Sequence, residues 1–297
     1  MADGIPHHTS VQGHAVGRPE AAKGIVYLAR AGYAAKGVVY MLVGVFAAMA
    51  AFGSGGQVGG SRSALAELLD EPFGQALLGI IAFGLLGFAI WRWVQVIVDP
   101  EQKASGDKEG YGRRAIYLGS AVIYTGLCIY AAGLAFGLYG ATANSGGGGG
   151  GGKTEHWTGK LMAQPAGKWL VVAVGVIVAI AGLVEFGKAY KVDFTKKLDL
   201  HKLSHKAHKG VIAVGRAGLA ARGVVFLVIG WFFIQAGWQA DASEAGGLGQ
   251  ALNEIQNAGY GPWLLGLVAI GLVAYGVFQW VKAAYRRFEI RNLKPTA

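Results

Sequence analysis

Three polar residues interrupt otherwise apolar stretches of this chain: Arg92, Glu185 and Gln279. A guanidinium, a carboxylate and an amide can satisfy one another through an ion pair and hydrogen bonds, and ionisable groups inside a bilayer mark functional candidates by default. Each of them also lies within a turn or so of the end of its apolar run, where a long side chain reaches water instead. Snorkelling is the plainer expectation. Five cations, Arg30, Lys36, Arg114, Arg216 and Arg222, sit at the openings of other apolar runs. They have the chemistry of an anion vestibule, but basic residues at such places are expected as topology anchors among headgroups.

Other patterns carry less. Gly147 to Thr154 matches the phosphate-loop spacing, closing on Gly152, Lys153 and Thr154. A working phosphate loop links a buried strand to a helix N-terminus. This tract follows an apolar run and belongs to a stretch of seven consecutive glycines from Gly146, so it reads as a low-complexity linker. Phe194, Leu198, His201, His205 and His208 are spaced to share one face of a basic amphipathic helix over Lys188 to Lys209. Lys202, Lys206 and Lys209 would repel a metal ion there, and lipid contact fits better. Cys128 is the sole cysteine, which excludes a disulfide framework. His156, Trp157, His7, His8 and His14 assemble into no acid–base pair or nucleophile–histidine arrangement. Neither an enzyme nor a cofactor nor a bound metal is expected.

The elements that hold these residues follow from composition. Of 297 residues 53% are hydrophobic and 15% charged, against about 25% charged in soluble proteins. The mean hydropathy is +0.40. Six segments, near 37–53, 74–97, 115–139, 169–187, 223–240 and 262–284, approach the roughly 20 apolar residues that a helix needs to span a bilayer. They must be helical, because an open strand in lipid leaves backbone groups unpaired. The first and fifth look short, each preceded by a snorkelling cation, Lys36 or Arg222. Met1 to Glu20 has no apolar stretch of the kind a cleavable signal needs, so the first span is expected to direct its own insertion.

The 27 Lys and Arg are unevenly distributed: all but Arg62, Lys153, Lys160 and Lys168 fall in the N-terminus, the loops after spans two and four, the C-terminus, or the helix ends beside them. The positive-inside rule then places both termini in the cytoplasm. The net charge of +10 suits anionic headgroups on that face, at about 1 kcal/mol per basic residue, and requires no nucleic acid.

The sequence repeats itself. Arg30-Ala-Gly-Tyr-Ala-Ala-Lys-Gly-Val-Val-Tyr40 recurs as Arg216-Ala-Gly-Leu-Ala-Ala-Arg-Gly-Val-Val-Phe226, with a degenerate copy from Arg114 to Tyr124. Gly59-Gly60, Ala64-Leu65 and Glu67 return as Gly246-Gly247, Ala251-Leu252 and Glu254. Gly74, Gly79, Gly84 and Trp93 return as Gly261, Gly266, Gly271 and Trp280, and Pro72-Phe-Gly74 returns as Pro165-Ala-Gly167. Arg92, Glu185 and Gln279 are therefore equivalent positions. Three tandem two-helix units of like topology can ring a pseudo-threefold axis, and their glycine ladders suggest close helix crossings. The expected division is a disordered tail 1–24, repeat one at 25–100, repeat two at 110–194 with a Gly-rich outer loop 142–160, a basic amphipathic segment 195–210, repeat three at 211–288 and a tail 289–297.

The Arg30–Tyr40 motif with its copy at Arg216, the Gly-Gly…Ala-Leu outer segments, and Gly259-Tyr-Gly-Pro-Trp-Leu-Leu-Gly266 together resemble the bacterial membrane family catalogued as domain of unknown function 1206. The resemblance implies a six-helix inner-membrane protein and brings no activity, substrate or catalytic residue. The fold expected is all-α and polytopic. The function expected is a non-enzymatic membrane component that binds lipid or a protein partner, since the spans hold no charge away from their ends. The alternative is a small-solute channel or transporter along the axis between repeats.

The orientation is testable in cells. With Cys128 replaced by serine, Gly150→Cys should react with an impermeant thiol reagent, whereas Ser105→Cys and His205→Cys should be protected. The opposite labelling pattern inverts the topology.

Overall fold

A computed structural model describes residues 18–53, 58–97, 108–138, 151–201 and 203–287. His7, His8, His14, Lys202 and the first four glycines of the phosphate-loop pattern lie outside them. Among the described residues, six helices are long and apolar enough to cross a membrane: α1 (Arg18–Ala51), α3 (Gly74–Ile97), α4 (Lys108–Ala135), α6 (Gly167–Lys191), α7 (His205–Gln239) and α9 (Gly261–Tyr285). Shorter helices α2 (Ser61–Glu67), α5 (Gly151–Met162) and α8 (Leu248–Asn257) join the two long helices of each repeat. All three lie at one end of the bundle, here the loop face; the other end is the terminal face.

Three expectations are corrected. The first and fifth spans are not short: α1 and α7 run unbroken through Lys36 and Arg222, because an Ala-rich stretch continues a helix and its cations find partners inside the bundle. The outer loop 142–160 is helical from Gly151 onward, as α5, so Lys153 and Thr154 lie in a helix rather than in a phosphate-binding turn. The basic segment is not one amphipathic helix. Asp193–Lys197 forms a 3-10 turn, and α7 starts at His205 with Ser204 as its cap. Tertiary contacts override the periodicity here. Leu198 and Leu200 are buried, Phe194 meets Phe278 edge-on, and Leu198 bridges Arg286.

In lipid, helices gain little by hiding apolar side chains from one another, so they associate where small residues let backbones touch. The second helix of each repeat packs on the first helix of the next, as α3 on α4, α6 on α7 and α9 on α1. Glycines face each other across two of these seams. A Cβ at Gly37 would stand 2.8 Å from the Gly276 carbonyl, and one at Gly182 would stand 2.9 Å from that of Gly223. At the equivalent place in the third seam, Ala89 and Ala121 are both buried.

Within repeats the pattern breaks. In repeat one, Gly32 abuts the Phe88 backbone and Gly84 abuts Ala35; in repeat three, Gly218 abuts Tyr275 and Gly271 abuts Ala221. Repeat two has Ile116 and Ile177 at those glycine positions, each 60% exposed. No seam comparable to α1–α3 or α7–α9 joins α4 and α6. The ring of six is open at that place.

Gly182→Leu should lower the thermal midpoint of the detergent-purified protein, because overpacking costs about 1–3 kcal/mol. Gly79→Leu, whose new side chain starts in open space, should leave it nearly unchanged. Equal shifts would dismiss the seam as the determinant.

Candidate functional site

The extra turns of α1 and α7 carry Lys36 and Arg222 into the bundle instead of out to the headgroups. Lys36 is 4% exposed. Its ammonium faces four rings: Tyr124 at 4.9 Å, Phe88 at 5.0 Å, Tyr275 at 5.7 Å and Tyr40 at 5.8 Å from the centroids. These rings come from α1, α3, α4 and α9, so all three repeats contribute to one cage. Cation–π contacts of this kind contribute roughly 0.5–2 kcal/mol each, which offsets part of the several kcal/mol lost on desolvating a cation.

Arg222 ties three helices together. One terminal nitrogen donates to Glu185 on α6 (3.2 Å) and to the Tyr275 hydroxyl on α9 (3.0 Å), and its plane lies 4.5 Å from the Phe226 centroid. Lys188 also pairs with Glu185, at 3.3 Å. Arg92 stacks between Phe88 and Tyr117 and donates to Gln95. Lys282 lies 4.4 Å from the Phe278 centroid. Four basic side chains, Lys36, Arg92, Arg222 and Lys282, thus share one interior with one buried carboxylate among the described residues.

The three equivalent residues Arg92, Glu185 and Gln279 have different hydrogen-bonding circumstances. Arg92 bonds within α3, Glu185 bonds to Arg222 and Lys188, and the fully buried Gln279 amide has no hydrogen-bond partner among the described residues. Of the five predicted anchors, Arg30 and Arg114 are exposed, and Arg216 donates to the Ala189 and Tyr190 carbonyls that end α6. Such a donor satisfies backbone groups that a helix terminus leaves open. Tyr40, Tyr124, Phe88, Tyr275 and Lys282 escaped the sequence reading. One signal was available: Tyr40, Tyr124 and Phe226 are aromatic at the same position of every repeat.

Above this cluster lies a chamber of about 850 Å3. Its floor is Tyr40, Tyr124 and Arg222; its wall is apolar, with Ile123 and Leu127 of α4, Val174 of α6, and Val225 and Phe233 of α7. Arg62, Thr158 and Leu248 from the short helices close it toward the loop face. It lies beside the gap between α4 and α6. Repeat two also supplies the room. It places Ser120 where the others have Lys36 and Arg222, and Ala181 where they have Phe88 and Tyr275.

The model of one family, Domain of Unknown Function (DUF1206), matches residues 31–99, 115–192 and 217–286, once per repeat. The chain belongs to the DUF1206 family. It is 32% identical over 257 residues to "Uncharacterized protein YxxB" of Bacillus subtilis (strain 168), covering 86% of this chain and 90% of that one. No solved structure matches it. In this DUF1206 chain the three matched units are the three helix pairs, and the middle one carries both departures that open the ring.

Removing one partner of a buried ion pair costs about 3–5 kcal/mol, because the other charge is left uncompensated. Glu185→Gln and Arg222→Gln should each lower thermal stability, and the double variant should be less destabilised than the two effects added. Strict additivity in that cycle would show that the pair acts as two independent surface charges.

Proposed function

We propose that this DUF1206 protein is a non-enzymatic, multi-pass component of the bacterial plasma membrane that takes an amphiphile from the bilayer into the chamber between α4 and α6. The observation that carries this reading is the lateral gap itself. An apolar cavity of about 850 Å3 falls in the range of roughly 300–1,000 Å3 that holds small ligands. It lies beside a gap flanked by exposed Ile116, Ile177 and Ile180, a lipid-facing rather than a water-facing surface. The Lys and Arg bias supports cytoplasmic termini, which sets the terminal face, with its cationic cluster, toward the anionic cytoplasmic leaflet.

A second reading, a small-solute pathway between the repeats, draws on the chamber's extent from Thr158 near the loop face to Arg222 deep in the bundle. Its apolar wall, and a floor closed by Tyr40 and Tyr124 with caged Lys36 below, favour an amphiphile over a polar solute.

In proteoliposomes containing a phosphatidylcholine with a diazirine in its acyl chain, irradiation should cross-link Ile123, Leu127 or Phe233 inside the chamber. Cross-links confined to the outward-facing Leu183 and Ile270 would reject a bound amphiphile.

A further inference from the structure

The amphiphile's head can be assigned from charge. We propose that the chamber selects an anionic amphiphile, its phosphate or carboxylate head at Arg222 and its acyl chain along the apolar wall. This rests on the chamber reading above and adds to it the chemical class of ligand.

The first support is imbalance. Four basic side chains, Lys36, Arg92, Arg222 and Lys282, share the interior with one buried carboxylate among the described residues, Glu185, which pairs with Arg222 and with the half-exposed Lys188. In a medium of low dielectric, unneutralised charge is costly, and rings compensate it only in part. An anion at the chamber floor restores the balance. The second is geometry. Arg222 lines the floor, its Nε is buried without a hydrogen-bond partner among the described residues, and Tyr40 and Tyr124 line the same floor. A guanidinium beside two hydroxyls is a donor set for oxyanions.

The third is the place left vacant by repeat two. Ser120 occupies the position that carries a cation in the other repeats, and Ala181 the position that carries a ring. Gly119 beside Ser120 meets no neighbour within 4 Å. A headgroup therefore finds room next to Arg222, on the side facing α4. The fourth is length. From Arg222 to Phe233 α7 rises about 16 Å at 1.5 Å per residue, roughly half of a 30 Å hydrocarbon core. That is the depth of one leaflet's acyl chain, running from the floor toward the loop face.

The test uses delipidated full-length protein in a neutral detergent, with the thermal midpoint read against added phosphatidylglycerol, phosphatidylcholine or inorganic phosphate. Phosphatidylglycerol should raise the midpoint clearly, phosphatidylcholine less, and phosphate not at all. Ser120→Asp places a carboxylate where the head would lie without breaking the bonds of Arg222; it should stabilise the lipid-free protein and abolish the preference for phosphatidylglycerol. Arg222→Gln should lose the same preference, but it also removes the link between Glu185 and Tyr275, so Ser120→Asp is the deciding variant. Gly119→Phe should fill the chamber and remove the response to both lipids. Equal responses to the two lipids, both lost in Gly119→Phe, would overturn the anionic selectivity and leave the chamber reading intact. A phosphate response as large as that of phosphatidylglycerol would overturn a membrane-derived ligand. If neither lipid acts and Gly119→Phe is silent, both inferences fall.

Discussion

Helices surrounded by hydrocarbon touch where a side chain is missing, and this constraint organises the whole molecule. Solvent exclusion cannot drive two apolar helices together when lipid is as apolar as they are. What remains is the contact energy of closely approaching backbones, and that is available where glycine or alanine recurs on one face. The chain meets the requirement at every joint between repeats, and inside the first and third repeats. Inside the second, Ile116 and Ile177 occupy the glycine positions, and the joint does not form. The same rule accounts for the closed part of the ring and for the opening.

A second constraint is electrostatic. Lys36 and Arg222 are carried inward by helices that begin well before the apolar runs do. Once inside, they need partners, and the repeats supply them unequally. Among the described residues Lys36 receives rings from its neighbours, whereas Arg222 receives a carboxylate, a phenol and a ring. Symmetric positions have thus become chemically distinct: cation, cation and serine at one level, and arginine, carboxylate and amide at another. Ser120 and Arg222 of the first level border the chamber, and the carboxylate that repeat two places at the second level holds the arginine that repeat three places at the first.

The membrane-spanning helices, their number and their threefold repetition were legible in the sequence, because hydropathy and self-similarity over long segments are strong signals. The site was not. Arg92, Glu185 and Gln279 were visible as equivalent polar interruptions, but periodicity cannot say whether they meet one another or other residues. Lys36 and Arg222 were expected among headgroups because they precede apolar runs; nothing local shows that their helices extend so far, or that Tyr124 and Tyr275 from distant parts of the chain enclose them. The tract after α4 looked like a structureless loop because glycine dominates it, yet Glu155 to Met162 provide enough helix-forming residues to continue α5. The basic segment showed helical spacing, and contacts with α9 decided against a helix. The gap in repeat two was written in the sequence as isoleucine for glycine, but it becomes readable once the neighbouring repeats show what glycine does there.

One seam has a consequence for biogenesis. The middle seam of the open ring is α1 against α9, the first and last of the membrane helices. During synthesis α1 enters the bilayer early and waits for its mate until the sixth span has left the ribosome. Its Gly37 and Gly44 face, bare of side chains and shaped for another backbone, spends that interval against lipid or against the insertion machinery. Completion of the bundle is therefore a late, long-range event, and the Lys36 side chain is fully enclosed when the final helix, bearing Tyr275, arrives.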